Sequence, residues 1–349
     1  MFLIRADGNA KIGAGHLMRC MTIAEELAAL AGGEEICFVC ADRESAAFVR
    51  ENGFRAHVLG TDYQDMESEL SGWQEFMKEL WGGGVAAGHV LLVDSYFVTD
   101  RYLDMLGELG KVVLMDDIGS HPYPVNCVVN YNAPADPAYY ARLYEGQNVK
   151  LLIGSSYVPI RRQFLNFEYR VADQIRDVFL TTGGGDSENI AGSILKCIWD
   201  GELCFHLVVG RFNPHLAELK ELAESRGGIT IYHDVSNMAG LMGQCDVAVT
   251  AGGSTVYELA ALGVPFICFS YAENQEALAE YVGTSGIGAS AGKWHMDSDK
   301  TLEQIREQLA ELRIDRKKRE AFHLQERAMI DGGGARRLAE ALAEIGRTQ

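Results

Sequence analysis

The sequence predicts an α/β protein of two domains, each a parallel sheet covered by helices. Short apolar runs alternate with amphipathic stretches through most of the chain, the pattern of strand and crossover helix. A length of 349 residues is long for one core. The alternation breaks once, between Leu151 and Arg170, in the extended stretch GSSYVPIRRQFLNFEYR, which Pro159 interrupts. That stretch reads as a crossover between domains, with Arg161 and Arg162 as helix-start or interface residues.

In chain order, Met1–Ile4 reads as a strand. A polar turn follows, in which Gly13 and Gly15 allow close backbone approach. The helix after it places Leu17, Met21, Ala24, Leu27 and Ala28 on one face. His16 falls in its first turn, where free N–H groups and the helix dipole favour an anion and disfavour an imidazolium. His16 is then either a cap or a neutral general base beside an anionic substrate. Further strands are expected at Glu35–Cys40, Arg55–Leu59, His89–Val93, Lys111–Met115 and Val125–Asn130. Helices are expected at Ser45–Asn52, Asp65–Leu80 and Thr99–Leu109, with Gly82–Gly84 stopping the second. Asp7, Asp94, Tyr96, Asp116 and Asn132 follow strand ends, where open α/β sheets bind ligands. The aspartates could equally form turns; Tyr96 is less natural in a turn and reads as a site residue.

The second half opens with a strand at Asp177–Thr181, the loop TTGGGDSENI and a helix to about Trp199. Gly183, Gly184 and Gly185 make a phosphate- or interface-facing turn, without GxGxxG spacing or a P-loop lysine. Strands at Cys204–Val209 and Ile229–His233 flank a helix at His215–Arg226, and DVSNMAGLMGQC supplies a turn and short helix. Next comes DVAVTAGGSTVYELAALGVPFICF. A strand ends at Thr250, Gly252–Thr255 offer N–H and hydroxyl groups at a helix start, and Glu258 lies one turn further on. Gly263–Val264–Pro265 stops that helix before a strand at Phe266–Phe269. Such a segment suits a nucleoside diphosphate, with donors for the pyrophosphate and a carboxylate for the ribose. The alternative is a structural glycine turn with a solvent-facing glutamate. Tyr271–Gln275 follows the next strand towards the same crevice.

Composition narrows the function. A net charge of −18 is poor for coating nucleic acid or an anionic membrane. No apolar run approaches the ~18 residues of a spanning helix. The start at Met1, with Arg5 and Asp7 close behind, does not read as a signal peptide, so the cytoplasm is the default. Of the eight cysteines only Cys37 and Cys40 form a CxxC, inside a strand, and they read as buried hydrophobes. Asp297–Ser298–Asp299 has the look of a metal-binding triplet but precedes an amphipathic helix, with Thr301 and Gln304 at capping-box spacing. It reads as helix-start chemistry, and no metal is expected. The basic run Arg313–Arg319 reads as a solvated helix face, and Gly332–Gly334 as a break before a terminal helix.

The Thr250–Pro265 segment resembles the nucleotide-binding segment of GT-B glycosyltransferases that use UDP-sugars. IRADGNAKIGAGHLMRC, with VDSY at Val93–Tyr96, GGGD at Gly183–Asp186 and ENQ at Glu273–Gln275, resembles a more specific family. These are the UDP-2,4-diacetamido-2,4,6-trideoxy-β-L-altropyranose hydrolases of pseudaminic acid synthesis. The resemblance covers nearly the whole chain, apart from a longer insert around Asp62–Gly88 and an extension to Gln349. It implies a GT-B-like scaffold, two Rossmann-like domains facing an interdomain cleft. Residues 1–155 would carry the catalytic histidine, 170–330 the UDP site, and 331–349 a helix returning to the first domain. It further implies inverting, metal-independent attack of water at the anomeric carbon, with His16 as base and Tyr96 and Asn274 positioning sugar and water. Gly13, Gly15, Arg19, Gly183, Gly184, Val235, Met238, Gly253, Ser254, Thr255, Glu258 and Gln275 would bind the UDP-sugar. No cofactor is implied, and the one partner is a small-molecule UDP-sugar, with neither nucleic acid nor membrane; a monomer would suffice. A GT-B glycosyltransferase with a small or lipid-linked acceptor is the alternative, and a UDP-sugar sensor without turnover a third.

Overall fold

The computed structural model describes residues 1–9, 12–30, 35–81, 88–210, 213–233 and 235–347. The chain divides into two compact units, residues 1–159 with 333–349 (unit 1) and residues 160–332 (unit 2). Among the described residues no helix is long and apolar enough to cross a membrane.

Unit 1 is built on β1 (Phe2–Ala6), β2 (Ile36–Cys40), β3 (Arg55–Val58), β4 (Val90–Asp94), β5 (Lys111–Met115), β6 (Cys127–Asn130) and β7 (Lys150–Ile153). They form one parallel sheet in the order β3-β2-β1-β4-β5-β6-β7, so strand order reverses between β1 and β4. Its helices are α1 (Gly15–Leu30), α2 (Arg43–Glu51), α3 (Leu70–Trp81), α4 (Asp100–Leu109), α5 (Pro137–Leu143) and, from the far end of the chain, α13 (Gly334–Arg347). Sheet strands covered on both faces read as continuous apolar runs. On one face Leu3, Val39, Leu91 and Leu114 pack with Trp73, Tyr102 and Leu106. On the other, Leu92, Val113 and Val129 meet Leu338, Leu342 and Ile345 of α13, which lies along α1. Gly334 starts α13 where a Cβ would fall 2.1 Å from the Val158 carbonyl oxygen, so only glycine fits that approach.

The insert after β3 is tied in by a buried charge. Arg5 on β1 is 1% exposed. It pairs with both oxygens of Glu69 and with Asp7, its Nε donating to Glu69 Oε2 at 2.8 Å. Tyr102 Oη donates to the same Oε2 at 2.8 Å and receives Trp73 Nε1–H at 2.8 Å. Asp7 Oδ1 accepts from Ala41 N at 2.8 Å. Asp7 is therefore a buried bracing residue rather than a ligand-facing one.

Unit 2 carries β8 (Asp177–Thr181), β9 (Cys204–Val209), β10 (Ile229–His233), β11 (Val247–Ala251), β12 (Phe266–Ser270) and β13 (Ala289–Lys293). The parallel order is β10-β9-β8-β11-β12-β13, with its reversal between β8 and β11. Its helices are α6 (Ile190–Ile198), α7 (Leu216–Arg226), α8 (Met238–Met242), α9 (Ser254–Leu262), α10 (Glu273–Ser285), α11 (Ser298–Ile314) and α12 (Arg316–Met329). Val178, Leu180, Leu207, Val249 and Ile267 form the sheet core with Ile194, Ile305 and Leu309 from the helices.

Several expectations need correction. The expected helix at Asp65–Leu80 is a 3-10 turn over Met66–Glu69, capped by Asp65, followed by α3; Gly82–Gly84 lies outside the described residues. The cap of α11 is Asp297, accepting from Lys300 N, so Thr301 lies inside the helix and bonds Asp297 O at 2.9 Å instead of opening a capping box. The Arg313–Arg319 run is not one solvated face. Asp315 splits it between α11 and α12, and Arg319 is fully buried, donating to the Leu312, Ala172 and Asp173 carbonyls. Cys37 and Cys40, by contrast, are buried as expected, as free thiols, and burial pushes Cys40 up to about 12.

Candidate active site

In each unit the loops at the strand-order reversal carry the polar residues, as expected where neighbouring crossovers diverge and leave a crevice. In unit 1 these loops follow β1 and β4. The first turns tightly: Gly13 N donates to Asn9 O at 2.8 Å, and Gly13 sits at φ +72°, a conformation that favours glycine. No described residue lies within 4 Å of where a Cβ on Gly15 would stand. His16 follows, its ring edge-on to that of Tyr96 with centroids 4.8 Å apart. Tyr96 is 44% exposed, unusual for a large aromatic.

One turn further along α1, Arg19 joins two carboxylates. Its Nε donates to Asp94 Oδ2 at 2.6 Å while Nη2 takes the other Asp94 oxygen. Nη1 donates to Asp117 Oδ2 at 2.9 Å and to Tyr131 Oη at 2.7 Å. Asp117 gathers two more donors, Tyr96 Oη–H at 3.1 Å and Asn132 Nδ2 at 3.1 Å. Burial alone would raise the Asp94 carboxyl; Arg19, with His16, overrides this and holds it below the usual aspartate range. Burial, reinforced by Asp117, pushes the Tyr96 phenol well up, so it stays protonated. Because that proton is donated to Asp117, the phenol oxygen offers only lone pairs to a ligand or a water.

Of the five residues flagged after strand ends, Asp94, Tyr96 and Asn132 therefore converge with His16 and Arg19. Asp116 does not: its carboxylate accepts from Ile118 N, Gly119 N and Tyr140 Oη and shapes the turn. Asp117, the residue that collects the others, was passed over, as was Tyr131. The signal available was the Asp116–Asp117 doublet, in which one side chain can close the turn while its neighbour is left to face the loops.

In unit 2 the reversal loops follow β8 and β11. Gly183 N donates to Thr181 Oγ1 at 3.3 Å, and the Asp186 carboxylate accepts from the first-turn amides of α6, Ile190 N at 2.8 Å and Ala191 N at 2.9 Å, beside the cap residue Asn189. The amides of Gly252 and Gly253 are already taken, by Phe269 O and Ala251 O, both at 2.8 Å. This corrects the expectation that the whole Gly252–Thr255 stretch offers free donors. α9 begins at Ser254 with Gly253 as its cap residue and no side-chain cap, so Ser254 and Thr255 bring the N–H and hydroxyl groups at its positive end. Glu258 is not solvent-facing; it pairs with Arg161, whose sequence context marks it only as a helix-start or interface residue. Burial raises the Glu258 carboxyl, and Arg161 offsets that only in part. Gln275 Oε1 accepts from Tyr271 N at 3.1 Å, and its backbone carbonyl lies beside Gly252. Asn274 is exposed in the first turn of α10. Val235 precedes α8 and Met238 begins it, both half-buried. Among the described residues no group of three or more histidines, cysteines or acids is placed to hold a metal ion.

Two parallel, Rossmann-like sheets of this kind define a GT-B fold, and comparison with known proteins agrees. Residues 178–337 match the model of the glycosyltransferase family 28 C-terminal domain. A UDP-glucosyltransferase from Polygonum tinctorium superposes with a TM-score of 0.72 at 13% identity, over 100% of this chain and 98% of that one. In sequence, the chain is 24% identical to the spore coat polysaccharide biosynthesis protein SpsG of Bacillus subtilis, across 98% of this chain and 97% of the relative. It is also 24% identical to the UDP-2,4-diacetamido-2,4,6-trideoxy-beta-L-altropyranose hydrolase of Campylobacter jejuni, over 81% of this chain and 96% of that protein.

Proposed function

We propose that this chain is a hydrolase that releases UDP from a UDP-linked 2,4-diacetamido-2,4,6-trideoxy sugar in nonulosonate synthesis. The observation that carries the reading is the unit 1 cluster: a histidine at a helix start, set edge-on to Tyr96, whose hydroxyl donates into the network of Arg19, Asp94 and Asp117. Two carboxylates against one guanidinium leave a net negative charge there. That charge suits a sugar that becomes oxocarbenium-like in the transition state. In this reading His16 takes a proton from water as the water attacks the anomeric carbon with inversion. Tyr96 accepts a hydrogen bond from the sugar or the water, and Asn274 positions the sugar. Unit 2 handles the nucleotide: Gly184, Ser254 and Thr255 donate to the diphosphate, which lies against Gly183, Glu258 accepts from the ribose, and Val235, Met238 and Gln275 line the remainder. The α9 N–H groups stabilise charge on departing UDP, so the reading requires no cation. The hydrolase name of the Campylobacter jejuni relative supports the choice of reaction.

A transferase reading is favoured by the match of residues 178–337 to the glycosyltransferase family 28 C-terminal domain. Incubating the enzyme with the UDP-linked diacetamido sugar in ¹⁸O-water separates the two. Label in the free sugar is expected; label in UDP would mean attack at phosphorus and remove His16 from its role. UDP release that depends on an added acceptor would establish the transferase.

A further inference from the structure

We propose that Arg161 is a positioning residue for ribose recognition, clamping one oxygen of Glu258 so that the other is held as a fixed acceptor for the ribose hydroxyls. The inference rests on the nucleotide reading of unit 2. Arg161 Nε and Nη2 both donate to Glu258 Oε1, at 2.9 and 2.6 Å, and Oε2 receives no hydrogen bond from any described residue. The guanidinium is fixed from behind. Its Cζ stands 5.0 Å from the ring centroid of Phe164, which is fully buried. The turn that carries Phe164 is pinned in turn, because Gln163 Oε1 accepts from Ala239 N of α8 at 3.1 Å.

A pair built for stability would use both carboxylate oxygens, as Arg5 does with Glu69. Here both donors converge on one oxygen, and Glu258 remains 16% exposed. A planar, stacked guanidinium can hold that asymmetric geometry; a lysine ammonium, free to rotate on a flexible stem, cannot. Burial also works against the ionised carboxylate, so the arginine keeps the acceptor charged as well as aimed.

The test is calorimetric binding of UDP and 2′-deoxy-UDP to the full chain and to Arg161→Gln, Arg161→Lys and Glu258→Gln, with melting temperatures to confirm folding. A charge-assisted hydrogen bond predicts that the wild type prefers UDP by about tenfold or more. Arg161→Gln should bring that ratio close to that of Glu258→Gln, with 2′-deoxy-UDP affinity much less changed, and Arg161→Lys should fall between. UDP affinity in Arg161→Gln should also weaken as pH falls towards the raised Glu258 pKa. An unchanged ratio in a folded Arg161→Gln overturns the proposal, including the case where both nucleotides weaken equally because Arg161 touches the ligand elsewhere. A wild type that binds neither nucleotide overturns the nucleotide reading itself, a result distinguishable from failure of the Arg161 role alone.

Discussion

Each unit sets an arginine against a carboxylate at the loops where its strand order reverses, and the two pairs are built in opposite ways. Arg19 spans both oxygens of Asp94 and reaches Asp117 and Tyr131 with what remains, so the unit 1 cluster is closed on itself. Arg161 touches one oxygen of Glu258 and leaves the other without a donor among the described residues. The shifts differ in sign accordingly: Asp94 is depressed, Glu258 raised. In the proposed reading, a closed network holds the reacting side chains in place before substrate arrives. An open one waits for donors that the ligand brings.

Substitutions can break that contrast. His16→Ala should lower turnover by roughly 10²- to 10⁴-fold, the usual worth of general acid–base catalysis, with UDP affinity unchanged by calorimetry. A parallel loss of UDP binding would place His16 on the wrong side of the comparison. Glu69→Ala leaves Arg5 buried without its main counter-charge and should cost unit 1 about 3–5 kcal/mol in urea unfolding. Asp117→Asn removes a charged acceptor shared by Arg19, Tyr96 and Asn132. Losing a hydrogen bond to a charged group is worth about 1.5–3 kcal/mol, so turnover should fall roughly ten- to a hundredfold with the fold retained.

The smallest effects, in pH, sharpen the contrast most. A depressed Asp94 contributes stability that is present above the ordinary aspartate pKa and lost as pH falls through its lower folded value. Asp94→Asn should therefore flatten the acid limb of melting temperature against pH. For a raised Glu258 the unfolded chain loses its proton first, so the group costs stability as pH climbs from its unfolded value through its folded one. Glu258→Gln should raise the melting temperature near neutrality while weakening UDP binding. A shift of the same sign in both variants would remove the distinction between the pairs.

Much of this architecture was readable from the chain because alternation is local. Strands and helices are written in short windows, and His16, Tyr96 and Glu258 stand out by following a strand or opening a helix. What escaped depends on distant pairing. Glu69 matters through Arg5, 64 residues away, and Asp117 through Arg19, 98 residues away, and neither carboxylate differs locally from a solvated one. Arg319 was misread for the same reason: its acceptors include carbonyls at 172 and 173, which a basic run gives no hint of. α5, β7, α10 and β13 were not anticipated. β7 begins with a half-buried lysine, and β13 reads ASAGK, too small and polar to advertise a strand.

The position of α13 has a consequence for how the protein is made. One face of the unit 1 sheet is covered by a helix translated after all of unit 2, so a nascent chain carries Leu92, Val113 and Val129 without Leu338, Leu342 and Ile345 until synthesis nears residue 345. Unit 2 is contiguous in sequence and complete by residue 332. Domains fold as units during translation, ordinarily the N-terminal one first. Here the N-terminal unit cannot complete that sheet face from its own contiguous stretch: the face lacks α13 until a segment encoded after every element of unit 2 has been made.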